Sequence, residues 1–319
     1  REEIKPDCVS YTAVIDAWAK SGERGAARRA EEILERMIAM YEDGDESVKP
    51  NSITYNAVIN AWVKSGEWAA GAASRAEDIL ETMETLYLDG DKDVKPNVRT
   101  YTNVIDAWSK SGIKGSVRRA EDIFQRMEEL YKAGDSSVRP NVRTYTSIIT
   151  AYARSKDTNK AQIAYTYLRN MEELYLAGHQ NAKPNVYAYN AVLNACAYTN
   201  SGKAEDVENS FRTACVTFDE LIKSDYGHPN HVTYGTFLRV CSKLLSNVNL
   251  RQRMVTSVFR RCCSDGMVGY FVLNQLKEVA PPDLYRALLG DRLAAKIDLT
   301  VKDLPNEWVC NVRESRRYW

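Results

Sequence analysis

No stretch of this chain comes near the roughly 18 uninterrupted apolar residues a helix needs to cross a bilayer, so no membrane partner is expected. Nor does either sign of charge prevail: 43 basic and 43 acidic residues cancel to a formal net charge of zero. Bulk electrostatics therefore gives no general attraction to a polyanion, and a nucleic-acid partner would require charge segregated by face. Histidine is scarce, with only His179, His228 and His231. The run "HPNH" reads as a loop rather than a metal site. Seven cysteines are present (Cys8, Cys196, Cys215, Cys241, Cys262, Cys263 and Cys310) but none forms a Cys-x-x-Cys pair. They read as reduced, mostly buried thiols of a non-secreted protein. No G-x-S-x-G, P-loop or paired-carboxylate cluster stands out, so no catalytic residue, cofactor or metal is assigned.

What the chain does have is repetition. "VKPNVRTYT" at 94–102 returns as "VRPNVRTYT" at 138–146. Proline recurs at Pro6, Pro50, Pro96, Pro140, Pro184 and Pro229, at intervals of 44, 46, 44, 44 and 45. After each comes Asp7 or an asparagine: Asn51, Asn97, Asn141, Asn185, Asn230. Four residues further on stands Tyr11, Tyr55, Tyr101, Tyr145, Tyr189 or Tyr234. At 319 residues the chain is too long for one ordinary core, and a fixed period of this size means stacked units that bury apolar faces against neighbours.

Each unit reads as two helices. Tyr11, Val14, Ile15 and Trp18 share one side of a helix, while Val9, Thr12, Asp16 and Lys20 share the opposite side. Gly22 is placed to cap this helix. A second helix, starting near Ala26, carries Ala30, Ile33, Leu34, Met37 and Tyr41 as its apolar stripe and ends at Gly44.

That spacing, with "VSYTAVIDAWAKSG", "ITYNAVINAWVKSG" and "RTYTNVIDAWSKSG", resembles the pentatricopeptide repeat family. Its unit is near 35 residues, and the excess here falls in three places, all outside the first helix: Gly22 to Ala30, Met37 to Gly44, and Gly44 to Pro50. "EWAAGAASR" adds two further residues to the second unit. The resemblance implies an all-α, right-handed superhelical solenoid of antiparallel helix pairs with a C-terminal helical cap. The expected units are 8–51, 52–97, 98–141 and 142–185, then a divergent 186–230 and a degenerate 231–266. Residues 267–319 would form the cap and tail, and residues 1–7 the end of an upstream repeat.

The resemblance also implies single-stranded RNA held along the first helices, one base per repeat. The implied base-reading pairs are Thr12 with Asn51, Asn56 with Asn97, Thr102 with Asn141, Thr146 with Asn185, and Asn190 with Asn230. The implied base-sandwiching residues are Val9, Ile53, Arg99, Arg143 and Tyr187, and the phosphate contacts Lys20, Lys64, Lys110 and Arg154. The family's code then gives a track 5′-A-(C/U)-A-A-(C/U)-3′. Short hydroxyl and carboxamide side chains can read Watson–Crick edges, and a guanidinium plane can stack on a base. The expected arrangement is a ladder of such groups open to a trough.

Plainer readings exist for the same residues. Asparagine after proline is a good helix N-cap. Asp16–Lys20 and Asp106–Lys110 are i,i+4 pairs worth about 0.3–0.5 kcal/mol. Trp18, Trp62 and Trp108 lie on the apolar side and read as core. The arginines and glutamates of "ARRAEEILERM" and "VRRAEDIFQRM" read as a solvated or inter-repeat face.

The pattern frays late. The fifth unit has Tyr198 where a basic residue recurs elsewhere, and its second helix looks irregular. The sixth has Lys243 there but Gly235 at the reader position, so base recognition is expected to stop before it. Beyond Gly266 two helices are expected, with Pro282 at a start and Gly290 at an end, then a tail with a basic end, "RRYW". His-x-Glu and Cys-x-x-Cys zinc motifs are missing, which excludes a deaminase, and no enzyme is expected. The family implies a mitochondrion or plastid, RNA stabilisation, processing or translation, and other organellar proteins as further partners. The rival expectation is a protein–protein scaffold, such as a structural subunit of an organellar ribosome.

Overall fold

A computed structural model describes residues 5–65, 69–296 and 298–312. Parts of "REEIKPD" and "EWAAGAASR", and the basic end "RRYW", lie outside the described residues. The chain divides into two compact units, 1–151 and 152–319.

The first unit holds α1 (Cys8–Ser21), α2 (Ala26–Glu42), α3 (Ser52–Lys64), α4 (Ala69–Leu88), α5 (Val98–Ser111) and α6 (Ser116–Lys132), and most of α7 (Val142–Arg154). Odd-numbered helices lead each repeat, and even-numbered ones return antiparallel. Each leading helix packs on the next, α1 on α3 and α3 on α5, and on the return helices either side of it. Among the described residues there are helices, turns and bends but no strand.

Periodicity of sequence becomes periodicity of core. Tyr55, Val58, Ile59 and Trp62 are buried on α3, and Tyr101, Val104, Ile105 and Trp108 on α5. Return helices supply Ala30, Leu34 and Met37, then Ala76, Leu80 and Met83, then Ala120, Phe124 and Met127. Each fully buried valine, isoleucine, leucine, methionine or phenylalanine among them contributes about 1.5–3 kcal/mol.

Polar contacts join neighbouring repeats. The indole Nε1 of Trp62 donates to Glu31 at 3.1 Å, and Arg75 pairs with the same glutamate. One repeat later Trp108 donates to Glu77 at 2.8 Å, and Arg119 pairs with it at 2.6 Å. Trp62 and Trp108 are therefore core, as expected, whereas Trp18 of the first repeat is half-buried, and Glu31, Arg75, Glu77 and Arg119 form an inter-repeat face.

The extra residues have definite structures. One lot extends the return helix past Met40, presenting Tyr41, whose ring lies 5.7 Å from Lys49 Nζ. Another forms a 3-10 turn, Glu46–Val48, capped by the Asp45 carboxylate. Tyr87 with Lys95 and Tyr131 with Arg139 repeat the first arrangement. Asp91 and Asp135 cap equivalent turns. Lys49 then reaches Asp91 at 3.0 Å and Lys95 reaches Asp135 at 2.8 Å, so each connection grips the next.

The second unit holds α8 (Lys160–Leu176), α9 (Val186–Ala197), α10 (Ala204–Lys223), α11 (His231–Leu244), α12 (Val248–Ser264), α13 (Tyr270–Val279) and α14 (Pro282–Leu289). The fifth repeat's return helix is α10, a regular 20-residue helix rather than an irregular one. Ser210, Ala214, Thr217, Phe218 and Leu221 keep its buried stripe, with small hydroxyls where aliphatics stood before. That substitution hid the period. Helix α13 packs along α11 as α3 packs along α1, so the cap region opens with one more leading helix. Pro282 starts α14 and Gly290 ends it. Trp308 accepts from Val268 N–H at 2.8 Å and meets Phe259 edge-on, tying the 298–312 segment to α12. All seven cysteines are free thiols, three of them buried, and burial pushes Cys196 and Cys241 up to about 12.

Glycines 22 and 112 end α1 and α5 in the left-handed region, at φ 70° and 65°, where a side chain would be strained. The fourth repeat has Lys156 in that place. There the Lys160 ammonium turns inward and donates to the carbonyls of Ala153 (3.3 Å) and Ser155 (2.9 Å). Burial holds the Lys160 pKa below its usual value.

Candidate nucleic-acid interface

Every leading helix from α3 to α11 opens on a Pro-Asn step, and in each the asparagine is an N-cap. Asn51 accepts from the N–H of Ile53 (2.9 Å) and Thr54 (3.2 Å), and Asn97 from Arg99 (2.9 Å) and Thr100 (3.4 Å). Asn141 accepts from Arg143 and Thr144, Asn185 from Tyr187 and Ala188, and Asn230 from Val232 and Thr233. The cap occupies the carboxamide oxygen, so what each asparagine can still offer a ligand is its NH2 group.

The partner of each pair stands one turn inside the helix. Thr12 is half-buried, and its hydroxyl shares a 2.8 Å hydrogen bond with Thr54. Thr102, 2% exposed, does the same with Thr144 at 2.7 Å. Thr54 and Thr144 also bond the cap oxygens of Asn51 (3.4 Å) and Asn141 (3.3 Å), so each cluster joins both members of a pair. Asn190 donates to Asn230 Oδ1 at 3.3 Å, bringing that pair into direct contact. Asn56, 3% exposed, turns back on its own helix and donates to Ser52 O at 2.7 Å. Thr146, half-buried, donates to Val142 O at 2.7 Å.

The side chains therefore do not stand as an open ladder. Asn56, Thr102 and Asn190 are buried, because consecutive leading helices pack close enough for their hydroxyls and carboxamides to satisfy one another. The carboxamide oxygens of Asn56 and Asn190 are exceptions: both are buried without a hydrogen-bond partner. A buried orphan acceptor costs about 1–3 kcal/mol, so either oxygen gains by accepting a donor that reaches it.

Above this recessed floor the residues expected to sandwich bases are open. Val9 is 73% exposed, Ile53 64% and Tyr187 56%, and Arg99 and Arg143 are exposed too. Large side chains with apolar or flat faces left in water at equivalent sites of the leading helices need a reason. Arg143 is also positioned, donating to Asn103 Oδ1 at 3.1 Å. Lys20, Lys64, Lys110 and Arg154 are exposed two turns along. Lys20 pairs with Asp16, and Lys110 with Asp106 at 2.8 Å. Lys64, with Asn60 in place of the aspartate, makes no ion pair among the described residues.

Sequence reading missed Thr54, Thr100, Thr144 and Asn103. The threonines had a signal: a hydroxyl residue three after the capping asparagine can bond back to the cap's N–H, as Thr54, Thr100 and Thr144 do. Asn103, 1% exposed with its NH2 unpartnered, had none.

Residues 21–174 match the family model described as the pentacotripeptide-repeat region of PRORP. Over those residues the chain consists of pentatricopeptide-type repeats. The pentatricopeptide repeat protein PPR10 from maize has a solved structure that aligns over 92% of this chain with TM-score 0.53 and 19% identity. This chain spans 35% of that one, and at such identity the likeness concerns the fold. No curated protein matches the sequence. Among the described residues no cluster of His, Cys, Asp or Glu is arranged to hold a metal ion, and no helix is long and apolar enough to cross a membrane.

Proposed function

We propose that this pentatricopeptide repeat chain binds single-stranded RNA through its leading helices, one base per repeat, and performs no chemistry of its own. The observation that carries the reading is the pair of partnerless carboxamide oxygens on Asn56 and Asn190, buried on helices whose Ile53 and Tyr187 side chains are exposed one turn earlier. Uracil N3–H and cytosine N4–H2 are both donors, so a pyrimidine edge satisfies such an oxygen while its faces stack on the flanking residues. At Thr12 and Thr102 a base must displace a threonine–threonine hydrogen bond. That bond is worth about 0.5–1.5 kcal/mol net, less than the ~1–3 kcal/mol a stacked base contributes. The proposed track is 5′-A-(C/U)-A-A-(C/U)-3′, and the family resemblance supports a role in stabilising, processing or translating an organellar transcript.

The test is fluorescence anisotropy with the RNA ACAAC against a scrambled pentamer. Tighter binding of ACAAC is expected, and Thr102→Asn with Thr146→Asn should move preference at the third and fourth bases toward pyrimidines. Equal binding of all pentamers would remove the code. The burial of Asn56 and Thr102 favours the rival reading, a protein-binding scaffold, in which no RNA would bind at moderate salt.

A further inference from the structure

Three departures from the repeat pattern, at Tyr198, Gly235 and Arg239, meet in the second unit. Gly235 holds the reader position of the sixth repeat. Its lack of a side chain is not empty space: a Cβ there would collide with Cδ1 and Cε1 of Phe271 on α13. The Phe271 ring thus lies where a threonine or asparagine stands in the other repeats. It is also clamped. The Arg239 guanidinium, one turn beyond Gly235, sits 4.9 Å from the Phe271 ring centre and 5.5 Å from that of Tyr198. Arg239 donates to Tyr198 Oη at 2.6 Å and to Gln275 Oε1 at 3.0 Å, and Gln275 is 4% exposed. Tyr198 in turn replaces the basic residue that recurs two turns beyond the reader.

We propose that Phe271, held by the Arg239 guanidinium that also lies against the Tyr198 ring, is a built end-stop of the RNA track, so that the nucleotide after the Asn190–Asn230 position is not read. The proposal rests on the RNA-binding reading. It accounts for four residues at once. Gly235 makes room for the ring, Phe271 fills it, Arg239 fixes the ring, and Tyr198 gives up a phosphate contact to hold Arg239. Where α1 meets α3, two hydroxyls fill the corresponding gap and a base need break only one weak bond. Here it would have to expel a phenyl ring and break the contacts of the Arg239 guanidinium with two aromatic rings.

The experiment measures wild-type binding to ACAAC extended at its 3′ end by A, C, G or U. Indifference to the added base is expected. The variant Phe271→Ala with Gly235→Asn should keep discrimination over the first five bases and gain about tenfold preference for a pyrimidine at the sixth. Wild-type discrimination at the sixth base would overturn the end-stop directly, and so needs no folded variant. A double variant that still reads five bases yet stays indifferent to the sixth would also overturn it. Failure of wild type to bind ACAAC at all would instead sink the RNA reading, and the end-stop with it.

Discussion

Glu77 shows how one side chain can hold two repeats together and resist its own charge. It is buried, accepts from Trp108 and pairs with Arg119, yet burial outweighs the arginine and raises its pKa. The folded state therefore takes up a proton more readily than the unfolded chain. It follows that this residue's contribution to stability is present at low pH and falls as pH rises through its raised folded pKa. The indole N–H needs an acceptor but not a charged one. Glu77→Gln should change the denaturation midpoint little at pH 7, because Arg119 is half exposed and can return to water. Glu77→Ala leaves the indole N–H unsatisfied and should cost about 1–3 kcal/mol by urea denaturation. Sequence reading placed the charges of the first and third return helices on a solvated or inter-repeat face and made no assignment for Glu77. Its pairing with a tryptophan of the following repeat was not legible, since neither residue's local pattern depends on the other.

The leading helix was the most legible element, because cap, apolar stripe and glycine stop all lie within its own residues. Asn97 begins α5 and Gly112 ends it, as spacing suggested. Less legible was what its polar face does, since burial of Thr102 depends on Thr144, a repeat away. The double duty of Asn97 as cap and candidate reader can be separated by substitution. Aspartate caps as well as asparagine but has no NH2, and Asp7 already fills that role for α1. Asn97→Asp should leave thermal stability within a few tenths of a kcal/mol while altering preference at the second base. Asn97→Ala should cost about 1 kcal/mol. Loss of stability in the aspartate variant comparable to that in the alanine variant would contradict the capping account.

For the molecule as a whole, a formal charge of zero restricts how RNA could be held. Four exposed cations, two already paired with aspartates, leave few phosphate contacts. The slope of log affinity against log salt should therefore be shallow, about −3 or less steep for a single strand. Lys64→Ala should flatten it by about 0.7, because Lys64 breaks no ion pair to reach a phosphate. A slope near −10 would mean a basic surface that this arrangement lacks. The all-helical class was legible because the period and the apolar stripe survive in the first four units. The end of the track was legible only as a missing side chain at Gly235. The ring that fills the gap comes from Phe271, in a region where the period has lapsed.

The lysine–aspartate grips between connections, together with the tryptophan–glutamate contacts, give the second and third repeats a plug that fits a socket in the repeat before. Residues 98–141 carry Trp108, Arg119 and Asp135 to mate with the unit before, so extra copies spliced in tandem would meet matching partners at every joint. Evolution by duplication would meet little resistance in such a chain, and an engineer wishing to lengthen it would find the couplings already cut.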